Sequence, residues 1–417
     1  MKTLLNNLFS NSYLRNIFSM MTGVFFSQLI LLVSTPVLTR LFPPEYFGAF
    51  AFFMSITSIL VVLSTLRYEH SFVLPKKDND AYDIMQITIR ILFFFTALIF
   101  CFIFFFDDFF IALLDNQLIN KWIYILPFFV LINSIFFIYR SWLVRTKKFQ
   151  RISNGAILKS FVLSCLLILG GYFFNNILVF LVANFIAQII ESLYLYLSIK
   201  KQEFNKKNSF SQLWIYKDFP KFSLPSDLIS TYTSQNPIIL FSYFFGDAVV
   251  GFFSLTQKVL AVPIKLISSS TLEVYKQKAS EDYNKKGNCK EIFKSTFQVL
   301  FLIGIVPTLI LWFSAPSLFS FVFGSEWIDS GIYAKYLLPM FFLQFSVSPL
   351  SYTLYIAGKQ NINLYWQICL LFITTSAIYF GVHYDSVDLA VSSFAISYSF
   401  MYIIYFLIIY KSSLGNG

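Results

Sequence analysis

Among the ionisable side chains inside the long apolar stretches of this 417-residue chain are Lys159, Glu191, Asp227, Lys258 and Lys265. A charge in the middle of a bilayer costs several kcal/mol unless it is paired or wet, so each is a candidate functional group. Lys258 is the deepest. It stands eleven residues beyond Asp247, which at 1.5 Å per residue places it about 16 Å down, near the centre of ~30 Å of hydrocarbon. Lys265, seven residues further, and Ser254, four residues before, share its helical face. Asp227 belongs to a second polar stripe, Ser223, Ser226, Asp227, Ser230 and Ser234, on a segment interrupted by Pro220, Pro225 and Pro237. Lysines so placed can receive an anion such as a phosphate, and serines can hydrate a polar solute. Asp227 and Glu191 suit a proton or sodium ion, or a salt bridge to a lysine.

The elements that must position these groups are membrane spans. With 57% hydrophobic residues, 12% charged residues and a mean hydropathy of +0.68, the composition is that of a polytopic membrane protein. Windows of about nineteen residues give twelve candidate spans: 17–39, 45–66, 86–106, 121–143, 153–173, 177–199, 222–244, 247–267, 292–314, 331–356, 360–380 and 388–410. Lys and Arg concentrate in alternate loops, which puts both termini in the cytoplasm by the positive-inside rule; Arg40, Lys121 and Lys335 lie near outer ends. The outer loops carry acids instead: Asp107, Asp108, Asp115, Asp247, Glu326, Asp329, Asp385 and Asp388. The net charge of +10 is strung through short juxtamembrane loops. That distribution points to anionic lipid headgroups and not to nucleic acid.

Several chemistries are disfavoured. Cys101, Cys165 and Cys369 sit in different spans and Cys289 in a loop, so neither a disulfide framework nor a metal cluster is implied. Asp78-Asn79-Asp80 has the D-x-D form of a metal motif but reads as a solvated loop, since no second catalytic cluster accompanies it. The chain shows no nucleotide-binding or metalloprotease motif, and His70 and His383 fall on opposite sides of the membrane. The first apolar stretch, 17–39, is too long for a signal-peptide core and should stay as the first helix.

Spans six and seven are joined by a long, lysine-rich polar connection, 200–221. It divides the chain into two halves, 1–205 and 206–417, of six spans each, both starting on the inner side. LFPPEYFGAFAF (41–52) and YFFGDAVVGFFSL (243–255) match loosely, each placing an acid three or four residues before Gly-x-Phe. A parallel duplication is the expectation, an all-α protein of two pseudo-symmetric six-helix bundles around a central hydrophilic cavity.

The first two spans form a hairpin about Arg40-Leu-Phe-Pro-Pro-Glu45, with Pro44 and Glu45 suited to the first turn of the second helix. Gln28, Thr35 and Thr39 share one face of the first helix, a face for protein or water. The pattern T-G-x(4)-Q, then TP-x-LTRLF-x-PE-x-FG-x-F and LRYE-x-x-x-VLPKK-x-x-x-A, resembles the opening of Wzx-type O-antigen and capsule flippases of the MOP exporter superfamily. G-x-F-x-L-x-Q-K-V-L-x-x-P-x-x-x-I, from Gly251, is similar to that family's eighth helix. The resemblance implies a MATE-like fold and a bacterial inner-membrane protein. It would move undecaprenyl-diphosphate-linked oligosaccharide outward by alternating access, without a cofactor, beside other polysaccharide-assembly proteins and membrane lipids. Arg40 and Arg67 fall on matched motif positions. With Lys258, Lys265, Gln28, Ser226 and Ser230 they form the expected substrate-binding set, and Asp227 and Glu191 the ion-coupling pair. A cation-coupled MATE drug exporter and a membrane polymerase or ligase are the alternatives.

Overall fold

The computed structural model describes residues 12–107, 116–199 and 211–415, all helix and turn. Asp108 and Asp115, and the expected division at 205/206, lie outside the described residues. Among the described residues thirteen longer helices carry the fold. The first six are α1 (Ser12–Leu41), α2 (Pro44–Ser64), α3 (Asp78–Phe105), α4 (Leu126–Arg145), α5 (Phe149–Phe173) and α6 (Ile177–Leu197). The rest are α7 (Leu224–Phe245), α8 (Asp247–Pro263), α9 (Ser269–Lys286), α10 (Lys290–Phe323), α11 (Ile328–Val347), α12 (Gln360–His383) and α13 (Val387–Ser413). By packing, the chain falls into two compact units, Met1–Phe42 with Ala49–Gln235, and Pro43–Gly48 with Asn236–Gly417.

Eleven helical segments among the described residues are long and apolar enough to cross a membrane. Compared with the twelve spans expected, the missing one is 222–244. Its helix, α7, runs unbroken through Pro237, but the Ser and Asp side chains of its stripe lower its hydropathy. Ser226, Ser230 and Ser234 are exposed along it. Prolines shape the chain at the first hairpin and before α7 as expected, whereas Pro237, expected to interrupt its segment, does not break the helix. The α1–α2 turn closes at Phe42-Pro43, Pro44 and Glu45 open α2, and a wide π-turn, Phe219–Ser223, carries Pro220 just before α7.

In the first unit α1 lies along α5, α5 along α6, and α4 packs on α3 and α6. Thr35 and Thr39 are buried and bond their own helix, to the Leu31 and Pro36 carbonyls, while the Ser164 hydroxyl donates to Ser34 at 3.0 Å across the α1–α5 seam. The second unit has an aromatic core in which Trp366 stacks on Tyr405 at 4.1 Å and donates to the Met401 carbonyl. The two loosely matched motifs meet there. A Cβ on Gly48 would sit 1.7 Å from the Asp247 carbonyl oxygen, and one on Gly251 would sit 2.0 Å from that of Pro44. Main chain touches main chain at both positions, which is what the paired glycines permit.

Candidate functional site

The site forms where α2 ends. The Ser64 hydroxyl pairs with that of Ser134 at 2.7 Å, pinning the end of α2 to α4. The chain then turns through Leu66 (φ 50°) and Arg67 (φ 63°), two successive residues in the left-handed region without a glycine. Each such residue costs roughly 1–2 kcal/mol, so the surrounding contacts must hold the turn in place. A short 3₁₀ helix, Tyr68–Val73, follows and buries Tyr68 and Phe72 against Ile84, Met85, Ile138 and Trp142. Burial pushes the Tyr68 phenol above its ordinary range, so it remains a neutral donor toward the Leu213 carbonyl, 3.4 Å away. Arg145, at the end of α4, donates to the Phe72 and Pro75 carbonyls at 2.7 and 2.9 Å and grips Asp78 at 2.6 Å. Asp78 is therefore part of a structural clamp, and among the described residues no group of His, Cys, Asp and Glu could hold a metal ion.

This rigid turn presents Arg67 to a cavity of about 570 Å³. Arg67 Nε donates to Asp227 Oδ2 at 2.7 Å, and its Nη1 to Glu69 Oε1 at 3.1 Å. The Glu69 side chain is 3% exposed and Arg67 15%, whereas Asp227 is 35% exposed. Glu69 Oε2 is buried and finds no hydrogen-bond partner among the described residues. His70 Nε2 stands 3.7 Å from the same Asp227 oxygen. Across the cavity α4 contributes Asn133, Phe137, Arg140 and Ser141, α2 contributes Thr57 and Ser58, and α7 contributes Thr231. Two guanidinium groups, an imidazole, an amide and several hydroxyls thus face one space, mixed with apolar walls. Such a site can bind a polar, anionic head bearing hydroxyl groups.

A second polar cluster joins α5 and α6. Lys159 bonds Gln188 and lies 3.4 Å from Glu191, whose side chain is 4% exposed. Arg140 is close enough to act electrostatically on the same Glu191 carboxylate, which links this cluster to the cavity wall.

Of the nine residues expected at the site, Arg67 and Asp227 come together. Glu191 pairs with Lys159 instead. Ser226 and Ser230 are exposed on α7, near Asp227 in sequence but not on the cavity wall. Gln28 is half-buried midway along α1, and Arg40 is exposed and donates to the Pro36 carbonyl at 2.7 Å. Lys258 is half-buried on α8 in the second unit, and Lys265 falls in the π-turn Ile264–Ser268 that follows Pro263. The residue that sequence reasoning passed over is Arg140, which near the inner end of its span resembles an interfacial anchor. Its signal was the spacing of Asn133, Phe137, Arg140, Ser141 and Val144, one helical face that all lines the cavity.

A family model described as polysaccharide biosynthesis protein matches residues 37–331. No curated protein sequence matches the chain. Among solved structures, the lipid II flippase MurJ in an inward closed conformation superposes with a TM-score of 0.78 at 14% identity, over 94% of this chain and 87% of that one. An inward-facing multidrug resistance MATE family transporter of the MOP superfamily gives 0.73 at 14% identity, over 92% and 93%. A MATE in complex with MaL6 gives 0.65 at 15% identity, over 95% of each. At these identities the likeness is one of fold, the expected MATE-like all-α membrane fold. With its model spanning well over half of the residues, the chain belongs to the polysaccharide biosynthesis protein family.

Proposed function

We propose that the protein is a Wzx-type flippase that moves an undecaprenyl-diphosphate-linked oligosaccharide from the inner to the outer leaflet of the bacterial cytoplasmic membrane, for O-antigen or capsule assembly. The observation that carries this reading is the cavity in which Arg67, Arg140 and His70 stand beside Asn133, Ser58 and Ser141. Guanidinium forks match phosphate oxygens in geometry and charge, and amide and hydroxyl groups can replace the water around a sugar. The prenyl tail can stay in lipid, so only the head needs enclosure.

Alternating access between the halves 1–205 and 206–417, both termini cytoplasmic, is the transport mode of this reading. Lys258 and Lys265, on the segment from Gly251, would receive the diphosphate in the second half, and Asp227 and Glu191 are the candidate ion-coupling acids. With the cell interior negative, outward movement of an anionic head gains about 2.3 kcal/mol per charge per 100 mV. The test is genetic and biochemical. Deleting the gene should abolish surface polysaccharide and restoring the chain should return it, whereas Arg140→Gln should fail to do so while remaining in the membrane. A deletion strain with intact polysaccharide overturns the reading.

A further inference from the structure

We infer that Asp227 occupies an anion seat on Arg67, and that the diphosphate of a bound ligand displaces it, releasing the start of α7 from the turn at 66–73. The inference rests on the cavity being a diphosphate site.

The two carboxylates on Arg67 are not equivalent. Glu69 is two residues away on the same turn and is buried, a fixed counter-charge that cannot leave without stranding itself. Asp227 comes from 160 residues further along the chain, touches Arg67 through one oxygen, and is already 35% exposed. It can turn into water with little desolvation to overcome. Arg67 Nη2 makes no hydrogen bond, and Arg140 makes neither a hydrogen bond nor an ion pair, among the described residues. A diphosphate can therefore engage both guanidinium groups through several oxygens, where Asp227 offers only one.

Charge balance points the same way. Arg67 stands between Glu69 and Asp227, and Glu191 acts on Arg140, so an arriving dianion meets a carboxylate at each guanidinium group until one withdraws. The backbone before Asp227 is suited to that withdrawal. The π-turn Phe219–Ser223 contains Pro220, and Pro225 sits in the first turn of α7, two places where regular helical hydrogen bonding is lost. The opposite side of the pair is held by Arg145 and by the Ser64–Ser134 bond, so α7 is the partner that moves.

The experiment uses the purified full-length chain in detergent, titrated with inorganic pyrophosphate and separately with a polyprenyl diphosphate lacking sugar. Asp227→Asn should bind both probes roughly tenfold more tightly, equivalent to about 1.4 kcal/mol, and should elute in size exclusion as the unaltered chain does. Hydrogen exchange over residues 219–230 should rise when either probe binds the unaltered chain, and should be high in Asp227→Asn before any addition. A response to pyrophosphate assigns the exchange to the phosphates alone, and a response only to the polyprenyl form assigns it to the lipid headgroup. If the probes bind but Asp227→Asn leaves affinity unchanged or lowers it, or if exchange over 219–230 does not change, the displacement is wrong while the diphosphate site stands. If neither probe binds, the diphosphate reading falls with it.

Discussion

In the first unit, beside neutral bonds such as Ser64 with Ser134, buried charges meet one another, Arg67 with Glu69 and Asp227, Lys159 with Glu191. In the second, Tyr275 and Thr353 share a hydrogen bond at 2.6 Å, Thr256 donates to the Ser330 carbonyl at 2.7 Å, Ser268 to that of Phe345 at 3.1 Å, and Asn236 to Thr375 at 2.8 Å. The two solutions differ in what happens when one partner is lost. A neutral hydrogen bond exchanges for water or a neighbour at modest cost, whereas a stranded buried charge keeps its full desolvation penalty. The first unit is therefore the more fragile to single substitutions, and the more able to respond to a charged ligand.

Four measurements would break or sharpen this contrast. The largest effect is expected from Arg67→Leu, which leaves Glu69 buried without its cation and should destabilise the protein by about 3–5 kcal/mol. Thermal unfolding in detergent should show the loss, and Arg67→Leu with Glu69→Gln should recover most of it. Lys159→Met comes next, at about 3 kcal/mol, smaller because Gln188 stays within 3.4 Å of Glu191. Adding Glu191→Leu should bring stability back near the starting value, and a double variant as unstable as the single one would contradict the pairing. In the second unit Tyr275→Phe should cost only about 1 kcal/mol, because Thr353 keeps its bond to the Leu350 carbonyl. A cost matching that of Lys159→Met would erase the contrast.

The smallest effect concerns Cys289, at the foot of α10, whose thiol burial pushes above its ordinary range. The protonated form is favoured in the folded chain, so its contribution to stability is full below the unfolded pKa and fades as pH rises toward the folded one. Alkylation of Cys289 by a water-soluble maleimide should accordingly keep rising with pH after an unfolded control has levelled off. Parallel curves would show that the thiol is exposed.

The spans were legible because hydropathy reports directly on what lipid demands of each helix, and the turn at Pro43-Pro44-Glu45 because proline chemistry is local. α7 was the informative exception. The same serines and Asp227 that marked it as polar are what keep it below the apolarity of the other spans. Individual charges in the spans were also visible, yet their partners were not. Arg67 and Asp227, or Lys159 and Glu191, meet only through tertiary packing, and nothing in the spacing around either member encodes the other. Arg140 was hidden by its neighbours, since Arg145, Lys147 and Lys148 just beyond it are what an ordinary cytoplasmic boundary looks like. The left-handed turn at Leu66 and Arg67 could not be foreseen either, because neither residue favours that conformation alone.

The crossing of Gly48 and Gly251 has the form of an isologous contact folded into a single polypeptide. Each side offers a glycine to the other's backbone, Gly48 to the Asp247 oxygen and Gly251 to the Pro44 oxygen, as one surface would when meeting its own copy around a dyad. A methyl group on either residue would pry apart both halves of that handshake at once, so neither site can drift independently of its twin.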